Sequence, residues 1–413
     1  MPSEAIGGLR AWARSRLGEQ EEQLRLLERA AVRLRELDHE RTVLLGEVRV
    51  AVGRLDELGV SVAVVFSPEH GLDGLAQAEE AVVDAGDQDG ARVVSLYGKT
   101  RESLSPTAED LGSIDVLVVD LVDVGARYYT YVWTALLAAR AAAAAGVHVV
   151  VLDRPNPLSG DPSYLEGAPQ AEGFTSFVGL EPLPIRHCLT VGEILALFIE
   201  RDGHALGAAG ALSVVRTVGW ERHHTASAWN RPFAPPSPNM PTLETALVYP
   251  GGCLVEGTNL SEGRGTTLPF QLVGAPFLNG EELAQAVNEH GVPGAQVRPA
   301  RFRPSFEKHA GETCSGILLQ VTEPGIFRPV AAYLTLLALA KRQAPDHFAF
   351  RTHAYEFEAE IPAFDLLTGS AQAREALDAG AAVEDVVSLV SPVDPSWSDA
   401  VRTAEERVAR AGA

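Results

Sequence analysis

The sequence predicts an α/β protein, in which a Rossmann-like, doubly wound domain is followed by a smaller α+β domain and preceded by an N-terminal helical extension. Three β-branched runs, at residues 62–66, 114–119 and 148–152, do not alternate apolar with polar residues. Such runs are typical of parallel strands that are covered on both faces. An alanine-rich stretch between the last two runs ends at Gly146, and glycine is a common helix stop. The order strand, helix, strand therefore predicts a doubly wound sheet.

Length and composition divide the chain into three parts. A chain of 413 residues exceeds the size at which one hydrophobic core keeps growing. From about residue 236 the segments become shorter and richer in proline and glycine, with strand-like runs at 316–321 and 355–359. We predict the extension at 1–40, the Rossmann-like domain at 41–235 and the α+β domain at 236–413, with a site in the cleft between the two domains.

The N-terminal extension is predicted to contain an amphipathic helix over residues 9–40. Leu24, Leu27, Ala31 and Leu34 are spaced by three and four residues, which places them on one helical face. That face can pack on the neighbouring domain or against the same helix of a second copy. The apolar repeat lasts too few heptads for a typical coiled coil, which favours the first arrangement and leaves a homodimer as the alternative.

Charge and cysteine content limit the partners and the compartment. A net charge of −21 would repel nucleic acid and anionic membrane surfaces, so neither is expected as a partner. The most apolar stretch, residues 134–152, is interrupted by Arg140 and His148 and is not typical of a membrane span. Only three cysteines occur, and the first residues lack the basic and apolar parts of a secretory signal. We therefore expect a cytoplasmic protein.

The common cofactor and metal motifs are missing from the sequence. No Gly-x-Gly-x-x-Gly opens a helix after a strand, and no glycine-rich loop ends in Lys-Ser or Lys-Thr. No His-Glu-x-x-His spacing occurs, and the adjacent His223 and His224 could not both face one metal from a strand. Neither a cofactor nor a metal ion is expected.

Four segments are too polar, and too rich in glycine or proline, for core strands or helices. The densest, at 256–266, reads Glu-Gly-Thr-Asn-Leu-Ser-Glu-Gly-Arg-Gly-Thr. Its glycines let the backbone approach a ligand, and the guanidinium of Arg264 suits a carboxylate. The others are Phe-Ser-Pro-Glu-His-Gly at 66–71, Asp-Leu-Val-Asp-Val-Gly-Ala-Arg-Tyr-Tyr-Thr-Tyr at 120–131 and Pro-Ser-Pro-Asn-Met-Pro-Thr at 236–242. Any one of them could be an ordinary solvated loop, but four together predict a binding site.

With further motifs at 151–158, 166–167, 184–187 and 190–193, these segments resemble the exo-β-N-acetylmuramidase family. Members of this family are glycosidases that remove N-acetylmuramic acid from the non-reducing end of peptidoglycan fragments. The resemblance runs from about residue 60 to the C-terminal region. It implies a glycoside hydrolase of cell-wall turnover or recycling whose substrate is a small carbohydrate, a muropeptide or a disaccharide containing N-acetylmuramic acid.

Glycoside hydrolysis ordinarily needs one carboxyl group to protonate the leaving oxygen and a second to act as nucleophile or to activate water. Glu69 is the first candidate for the acid, because it follows a buried strand and partial desolvation there would favour its protonated form. Glu262 and Glu166 are the candidates for the second carboxylate, with Asp120 and Asp123 as outside candidates. Each carboxylate could instead cap a helix, order a loop or pair with an arginine.

The same segments supply candidate groups for substrate binding. Arginines could bind the lactyl carboxylate of N-acetylmuramic acid, tyrosines could stack on the sugar, and an asparagine could bind the acetamido group. Histidines could tune the carboxylates, although a single histidine is more often a structural donor. The predicted substrate-binding residues are His70, Asp120, Asp123, Arg127, Tyr128, Tyr131, Asn156, His187, Asn239, Glu256, Asn259 and Arg264.

Three departures from the family pattern bear on activity. A loop of the form Asn-x-Thr, usual after the first strand, is missing at residues 42–52, and Val122 and Cys188 replace a usual glutamine and glycine. These departures leave an alternative, a catalytically weak relative that binds a carbohydrate or cell-wall fragment. Hydrolysis of an ester or amide bond is a third hypothesis, but no Gly-x-Ser-x-Gly motif supports it.

Overall fold

The computed structural model describes residues 61–412, except for 73, 75, 78, 83–85, 89–90 and 230–231. The predicted helix at 9–40 and the segment at 42–52 lie outside the described residues. Strands and helices alternate through the first half, and an antiparallel sheet with flanking helices forms the second half. The α/β class predicted from the sequence is confirmed. No helix in the described ranges is long and apolar enough to cross a membrane.

The first half contains two three-stranded sheets. Its strands are β1 (Val64–Ser67), β2 (Gly86–Gln88), β3 (Ala91–Ser95), β4 (Val116–Val119), β5 (His148–Leu152) and β6 (Leu212–Val215). In one sheet β1 pairs in parallel with β3, and β2 joins β3 in the antiparallel direction. In the other, β4, β5 and β6 lie in this order with parallel pairing throughout. The three predicted β-branched runs form β1, β4 and β5, as expected.

Within the described residues, the α-helices of this half are α1 (Ala108–Leu111), α2 (Tyr131–Ala145) and α3 (Val191–Arg201). The alanine-rich stretch forms α2, which ends at Gly146 in the left-handed conformation. A capping box starts α3, because Thr190 and Glu193 each accept a hydrogen bond from the other's backbone N–H. Short 3₁₀ helices occur at Arg101–Leu104, Pro162–Tyr164 and Ala226–Ala228. Parallel strands with intervening helices agree with a doubly wound sheet, and the Rossmann-like assignment stays a prediction.

The second half is built on an antiparallel sheet. Its elements are α4 (Leu243–Gly252), a 3₁₀ helix (Cys253–Gly257), β7 (Leu272–Ala275), α5 (Gly280–His290), β8 (Ala295–Phe302), β9 (Cys314–Val321), α6 (Pro329–Gln343), α7 (Ala363–Thr368), α8 (Gln372–Asp378), α9 (Val383–Val390) and α10 (Pro395–Ala411). Strand β9 lies between β7 and β8. The strand predicted at 316–321 is part of β9 and is confirmed.

The strand predicted at 355–359 is wrong, because this segment forms a tight turn. Tyr355 and Glu358 exchange backbone hydrogen bonds of 2.8 and 2.9 Å around Glu356 and Phe357. Both central residues have positive φ, 47° at Glu356 and 65° at Phe357. Two consecutive left-handed residues are typical of a type I′ turn. The alternation Tyr-Glu-Phe-Glu is typical of a strand. Alternation alone does not show that the two central residues have positive φ.

The two largest hydrophobic cores of the described residues join the halves. One surrounds α2, α3 and strands β4 to β6, and it includes Val401, Ala404 and Val408 of α10. The other surrounds the antiparallel sheet and its helices, and it includes Tyr128 and Ile185 from the first half. Each half therefore buries side chains in the core of the other. The division of the chain at residues 235 and 236 stays a prediction.

Candidate active site

A cleft lies where the carboxyl end of β1 and the start of α2 meet the second half of the chain. Its cavity volume is about 30 Å³. The loops at 236–242 and 256–266, which the sequence predicts to close over the sheet edge, both contribute to its wall. The lining residues are Glu69, His70, Tyr128, Tyr129, Thr130, Val178, Ser237, Asn239, Met240, Tyr249, Glu256, Arg264, Phe270, Tyr355 and Glu356.

Glu69 is a buried carboxyl group that follows β1 almost directly. Its Oε2 accepts a 2.6 Å hydrogen bond from the Thr130 hydroxyl, and its Oε1 accepts a 3.3 Å bond from the backbone N–H of Glu79. The Tyr131 hydroxyl lies 3.1 Å from the carbonyl oxygens of both Glu69 and Pro236. Two groups of the first half therefore fix the position of this carboxyl group, and Tyr131 links its backbone to the second half.

Two further cleft residues, His70 and Asn239, are attached to the loop that follows β1. His70 has a φ of 72°, and its Nδ1 lies 2.8 Å from the carbonyl oxygen of Ala76. The Asn239 side-chain amide donates a 2.9 Å hydrogen bond to Oε1 of Gln77. The loop after β1 is thus held against the second half on one side of the cleft.

One tyrosine hydroxyl group in the cleft wall is buried without a partner. Among the described residues, the hydroxyl of Tyr128 has no hydrogen-bond partner, whereas the hydroxyl of Tyr129 interacts with Ser237 and Tyr131. A buried hydroxyl left unpaired costs about 1–3 kcal/mol. A polar ligand that supplied a hydrogen bond to Tyr128 would recover that free energy, so this hydroxyl is suited to contact a sugar.

Glu256 and Arg264 form a buried ion pair in the cleft wall. The Nη2 and Nε atoms of Arg264 lie 2.6 and 3.2 Å from Oε1 of Glu256, and the Tyr355 hydroxyl donates a 2.7 Å bond to its Oε2. Burial by itself raises the pKa of Glu256, but the charge of Arg264 and the Tyr355 bond outweigh burial and hold the pKa below its usual range. The positive charge of Arg264 is therefore already balanced within the protein.

Glu356 is a cleft residue that the sequence analysis did not predict. It occupies the first central position of the type I′ turn and is buried. Its Oε2 accepts a 2.8 Å hydrogen bond from the Tyr97 hydroxyl. Burial raises the pKa of Glu356 well above its usual range, and the charges of Glu69 and Glu79 raise it further. The available signal was a glutamate between two aromatic residues, but the alternating pattern predicts an ordinary strand there.

Residues 39–244 match the family model described as Exo-beta-N-acetylmuramidase NamZ, N-terminal, and residues 247–403 match the one described as Exo-beta-N-acetylmuramidase NamZ, C-terminal. The chain belongs to the exo-β-N-acetylmuramidase family. A relative from Bacillus subtilis (strain 168), Peptidoglycan beta-N-acetylmuramidase NamZ, is 39% identical over 330 residues, which cover 80% of this chain and 76% of the relative. The family resemblance inferred from the polar motifs is confirmed.

Two crystal structures of DUF1343 family proteins from Bacteroides fragilis NCTC 9343 are similar to this exo-β-N-acetylmuramidase family member. One has a TM-score of 0.71 at 29% identity and covers 84% of this chain and 86% of its own. The other has a TM-score of 0.58 at 25% identity and covers 87% of this chain and 88% of its own. The likeness extends over both halves and therefore over the cleft between them.

The structure separates the predicted site residues of this family member into two groups. One group lines the cleft: Glu69, His70, Tyr128, Asn239, Glu256 and Arg264. Tyr131 is joined to it through the bond of its hydroxyl to the backbone of Glu69. The other group does not line the cleft: Glu166, Glu262, Asp120, Asp123, Arg127, Asn156, His187 and Asn259.

Glu262 and Glu166, the predicted second carboxylates, do not line the cleft, and each has partners within the protein. Glu262 lies 2.7 Å from Nζ of Lys308 and 3.6 Å from Nε of Arg264. Glu166 accepts a 2.8 Å hydrogen bond from the backbone N–H of Ala331 in the first turn of α6, and burial raises its pKa to about 7. Because both carboxyl groups hold protein segments together, our proposal does not assign either of them to catalysis.

The polar residues at the ends of β4 and β5 bond one another or the backbone. Asp120 pairs with Arg154 at 2.7 Å, and Asp123 lies 3.2 Å from Nε2 of His187. Asn156 donates a 3.0 Å hydrogen bond to a backbone carbonyl of the segment before α3. These contacts order the connections that follow the strands. They give no support for substrate contacts by Asp120, Asp123, Asn156 or His187.

Arg127 and Asn259 also bond the backbone. The guanidinium of Arg127 donates to the carbonyl oxygens of Ala168, Leu183 and Leu367 at 2.6, 2.8 and 2.7 Å. Burial lowers its pKa to about 10. Asn259 donates a 2.8 Å bond to a backbone carbonyl beyond α6. Arg127 therefore joins three distant segments, and we assign it a structural role.

In the part of the chain that the structure describes, one group of possible metal ligands gathers, and it lies outside the cleft. The ligand atoms of Glu221, His223 and His224 are within 4.8 Å of one another. These residues lie in a turn, where adjacent histidines can face one point, and not in a strand. Glu221 and His223 are exposed, and exposed groups of this kind are common without a metal ion.

Proposed function

We propose that the protein is an exo-β-N-acetylmuramidase that releases N-acetylmuramic acid from the non-reducing end of peptidoglycan fragments. The observation that carries this proposal is the position of Glu69, a buried carboxyl group in a cleft between the two parts of the chain that match the family. The Bacillus subtilis relative named Peptidoglycan beta-N-acetylmuramidase NamZ supports the same reaction class.

The chemistry of the cleft suits a glycoside. Three carboxyl groups line it, those of Glu69, Glu256 and Glu356, and glycoside hydrolysis ordinarily uses two. Glu256 is committed to Arg264, which leaves Glu69 and Glu356 for the reaction. The unpaired hydroxyl group of Tyr128 in the cleft wall can bond a sugar hydroxyl or an acetamido group. Glu69 is one of the two reacting carboxyl groups in our proposal.

The substrate that we propose is a small fragment with a terminal N-acetylmuramic acid, such as a disaccharide or muropeptide. The cytoplasm remains the proposed compartment, and the three cysteines, all buried and free, are consistent with a reducing environment. A homodimer formed through the helix at 9–40 remains the alternative to a monomer.

A chromogenic β-N-acetylmuramide and the matching N-acetylglucosaminide test the proposal directly. We expect faster release of the aglycone from the muramide, because the two sugars differ in the lactyl group that the family's substrate carries. Equal rates on the two substrates would reject selectivity for N-acetylmuramic acid. Tight binding of the muramide without turnover of either substrate would instead support the catalytically weak carbohydrate-binding relative.

Substitution of Glu69 tests the position of the site. We expect Glu69→Gln to lower kcat about a hundredfold or more with little change in KM, because the amide keeps the shape of the side chain and loses the reacting group. Glu200→Gln is a control, since Glu200 pairs with Arg407 and Arg410 away from the cleft. Near-normal turnover by Glu69→Gln would show that Glu69 is not a reacting group and that the active site lies elsewhere.

A further inference from the structure

We propose that Glu356 is the general acid of this site, donating its proton to the leaving glycosidic oxygen while Glu69 acts as the partner carboxylate. This inference rests on the proposed glycosidase function and assigns its proton donor. It moves the acid role from Glu69, to which the sequence analysis gave it, to a residue in the second half of the chain.

The first argument is the position of the Glu356 carboxyl group. Glu356 lines the same cleft as Glu69 and is only 7% exposed. The Tyr97 hydroxyl fixes its Oε2 through a 2.8 Å hydrogen bond. Its Oε1 has no hydrogen-bond partner among the described residues. The side chain is therefore held at one oxygen and free at the other to bond a ligand.

The second argument is the backbone that carries Glu356. Type I′ turns strongly prefer Asn-Gly or similar pairs, because both central residues need positive φ. Here the central pair is Glu356 and Phe357, and a non-glycine residue in this region costs about 1–3 kcal/mol. The ring of Phe357 packs edge-on against Tyr97, with centroids 5.4 Å apart, which holds the turn in place. Such an unfavourable pair at a cleft indicates a functional constraint on the glutamate.

The third argument is the contrast among the three carboxyl groups of the cleft. Glu356 is surrounded by acidic groups, and both burial and the charges of Glu69 and Glu79 raise its pKa. Glu69 instead accepts two hydrogen bonds, and Glu256 has the charge of Arg264. A general acid must hold a proton before the reaction, and the surroundings of Glu356 favour its protonated form. Glu356 is therefore the carboxyl group of the cleft that we assign as the acid.

The titratable and charged groups facing Glu356 come from both halves of the chain. Tyr97 follows β3, Glu69 and Glu79 belong to the loop after β1, and Glu256 and Tyr355 belong to the second half. Two of these acidic groups have an arginine partner, Glu79 with Arg351 and Glu256 with Arg264. The remaining balance of charge around Glu356 is negative, which favours its protonated form.

The proposed cleavage of the glycosidic bond is the same whether the anomeric configuration is inverted or retained. The bond between the anomeric carbon and the glycosidic oxygen breaks, its electron pair goes to that oxygen, and the proton of Glu356 completes the leaving alcohol. Water then supplies a hydroxyl group to the anomeric carbon. The proton released from water goes to Glu69 in an inverting reaction, or to Glu356 after displacement of a Glu69 ester in a retaining one.

The dependence on the leaving group tests the assignment. In Glu356→Gln, we expect turnover of a disaccharide with a sugar alcohol as leaving group to fall about a hundredfold or more. Turnover of a nitrophenyl N-acetylmuramide should fall much less, because a nitrophenolate needs little protonation. Glu69→Gln should lose turnover of both substrates to a similar extent. If Glu356→Gln loses both equally, or neither, Glu356 is not the acid.

The pH profile gives a second test that does not need a large loss of activity. The Tyr97 hydroxyl opposes the high pKa of Glu356 by bonding its carboxylate form. Tyr97→Phe should therefore move the basic limb of the kcat/KM profile to higher pH, because the acid then keeps its proton longer. This variant decides the matter if Glu356→Gln does not fold. An unmoved limb would overturn the proposal.

Asp153→Asn is the matched control. Asp153 is a carboxyl group whose pKa burial raises to about 7, but it caps the start of α3 and does not line the cleft. We expect neither the leaving-group dependence nor the basic limb to change in this variant. Wild-type protein without turnover of any N-acetylmuramide would reject the proposed function itself. Active wild-type protein with unchanged Glu356→Gln and Tyr97→Phe would reject only the assignment of Glu356.

Discussion

Replacement of Glu166 by glutamine should make the protein relatively more stable as the pH rises. Burial raises the pKa of this carboxyl group in the folded protein to about 7, from an ordinary value of 4.5. The Ala331 N–H in the first turn of α6 and the charge of Arg186 oppose the rise without cancelling it. Its Oε2 is buried with no hydrogen-bond partner in the described residues. The negative charge of an ionised Glu166 is therefore only partly compensated by hydrogen bonds and by nearby cations.

The sign follows from proton linkage. A group with a higher pKa in the folded state contributes stability below its unfolded pKa, and loses that contribution as the pH rises through its folded pKa. Each tenfold change in proton affinity corresponds to about 1.36 kcal/mol, so a rise from 4.5 to about 7 corresponds to about 3 kcal/mol. Wild-type protein should therefore lose about 3 kcal/mol from this group between pH 4 and pH 8.

Urea unfolding of wild-type protein and Glu166→Gln at pH 5, 6, 7 and 8 measures this loss. Because part of the loss has already occurred at pH 5, we expect the difference in unfolding free energy to shift in favour of the variant by about 2.5 kcal/mol from pH 5 to pH 8. Glu200→Gln is a control of opposite sign, because the hydrogen bond from Arg410 lowers the pKa of Glu200. A difference between wild type and Glu166→Gln that stays constant with pH would refute the reasoning.

Two further predictions concern the second half of the cleft and the N-terminal extension. Arg264→Ala should lower the unfolding free energy by about 3–5 kcal/mol, measured by urea unfolding at pH 7, because it leaves Glu256 buried without its charge partner and removes the more distant of the two cations beside Glu262. Deletion of residues up to Asp38 should lower the melting temperature or convert a dimer to a monomer while kcat changes little, as sedimentation and kinetics would show. Loss of activity in a folded truncated protein would contradict the second prediction.

The sequence was sufficient for the elements that local patterns determine. The β-branched runs and the alanine-rich helix ending at Gly146 appear where the patterns predict them. Glu69 was identifiable because it follows a β-branched run and lies within a polar motif. Family membership followed from the same polar motifs in order, and it survives even where single residues in those motifs have structural roles.

The rest of the site depends on contacts between distant parts of the chain. Polarity in a motif does not distinguish a residue that binds a ligand from one that bonds the backbone, and Arg127 bonds a carbonyl as far away as Leu367. Glu356 was not predicted, because its segment alternates like an ordinary strand. Its position in the cleft depends on the positive φ of the turn and on the hydrogen bond from Tyr97. Local pattern carries neither piece of information.

The return of α10 to the first half has a mechanical consequence. This helix packs on α3 and β6, and Arg407 and Arg410 pair with Glu200 at 3.0 and 2.7 Å. The segment between β6 and α10 is therefore an insertion anchored to one body at both ends. A segment that is fixed at both ends cannot easily rotate about a single hinge. We therefore expect the opening of the cleft to stay narrow. A narrow opening admits the terminal residue of a saccharide and excludes the internal residues of a polymer, as removal of terminal residues requires.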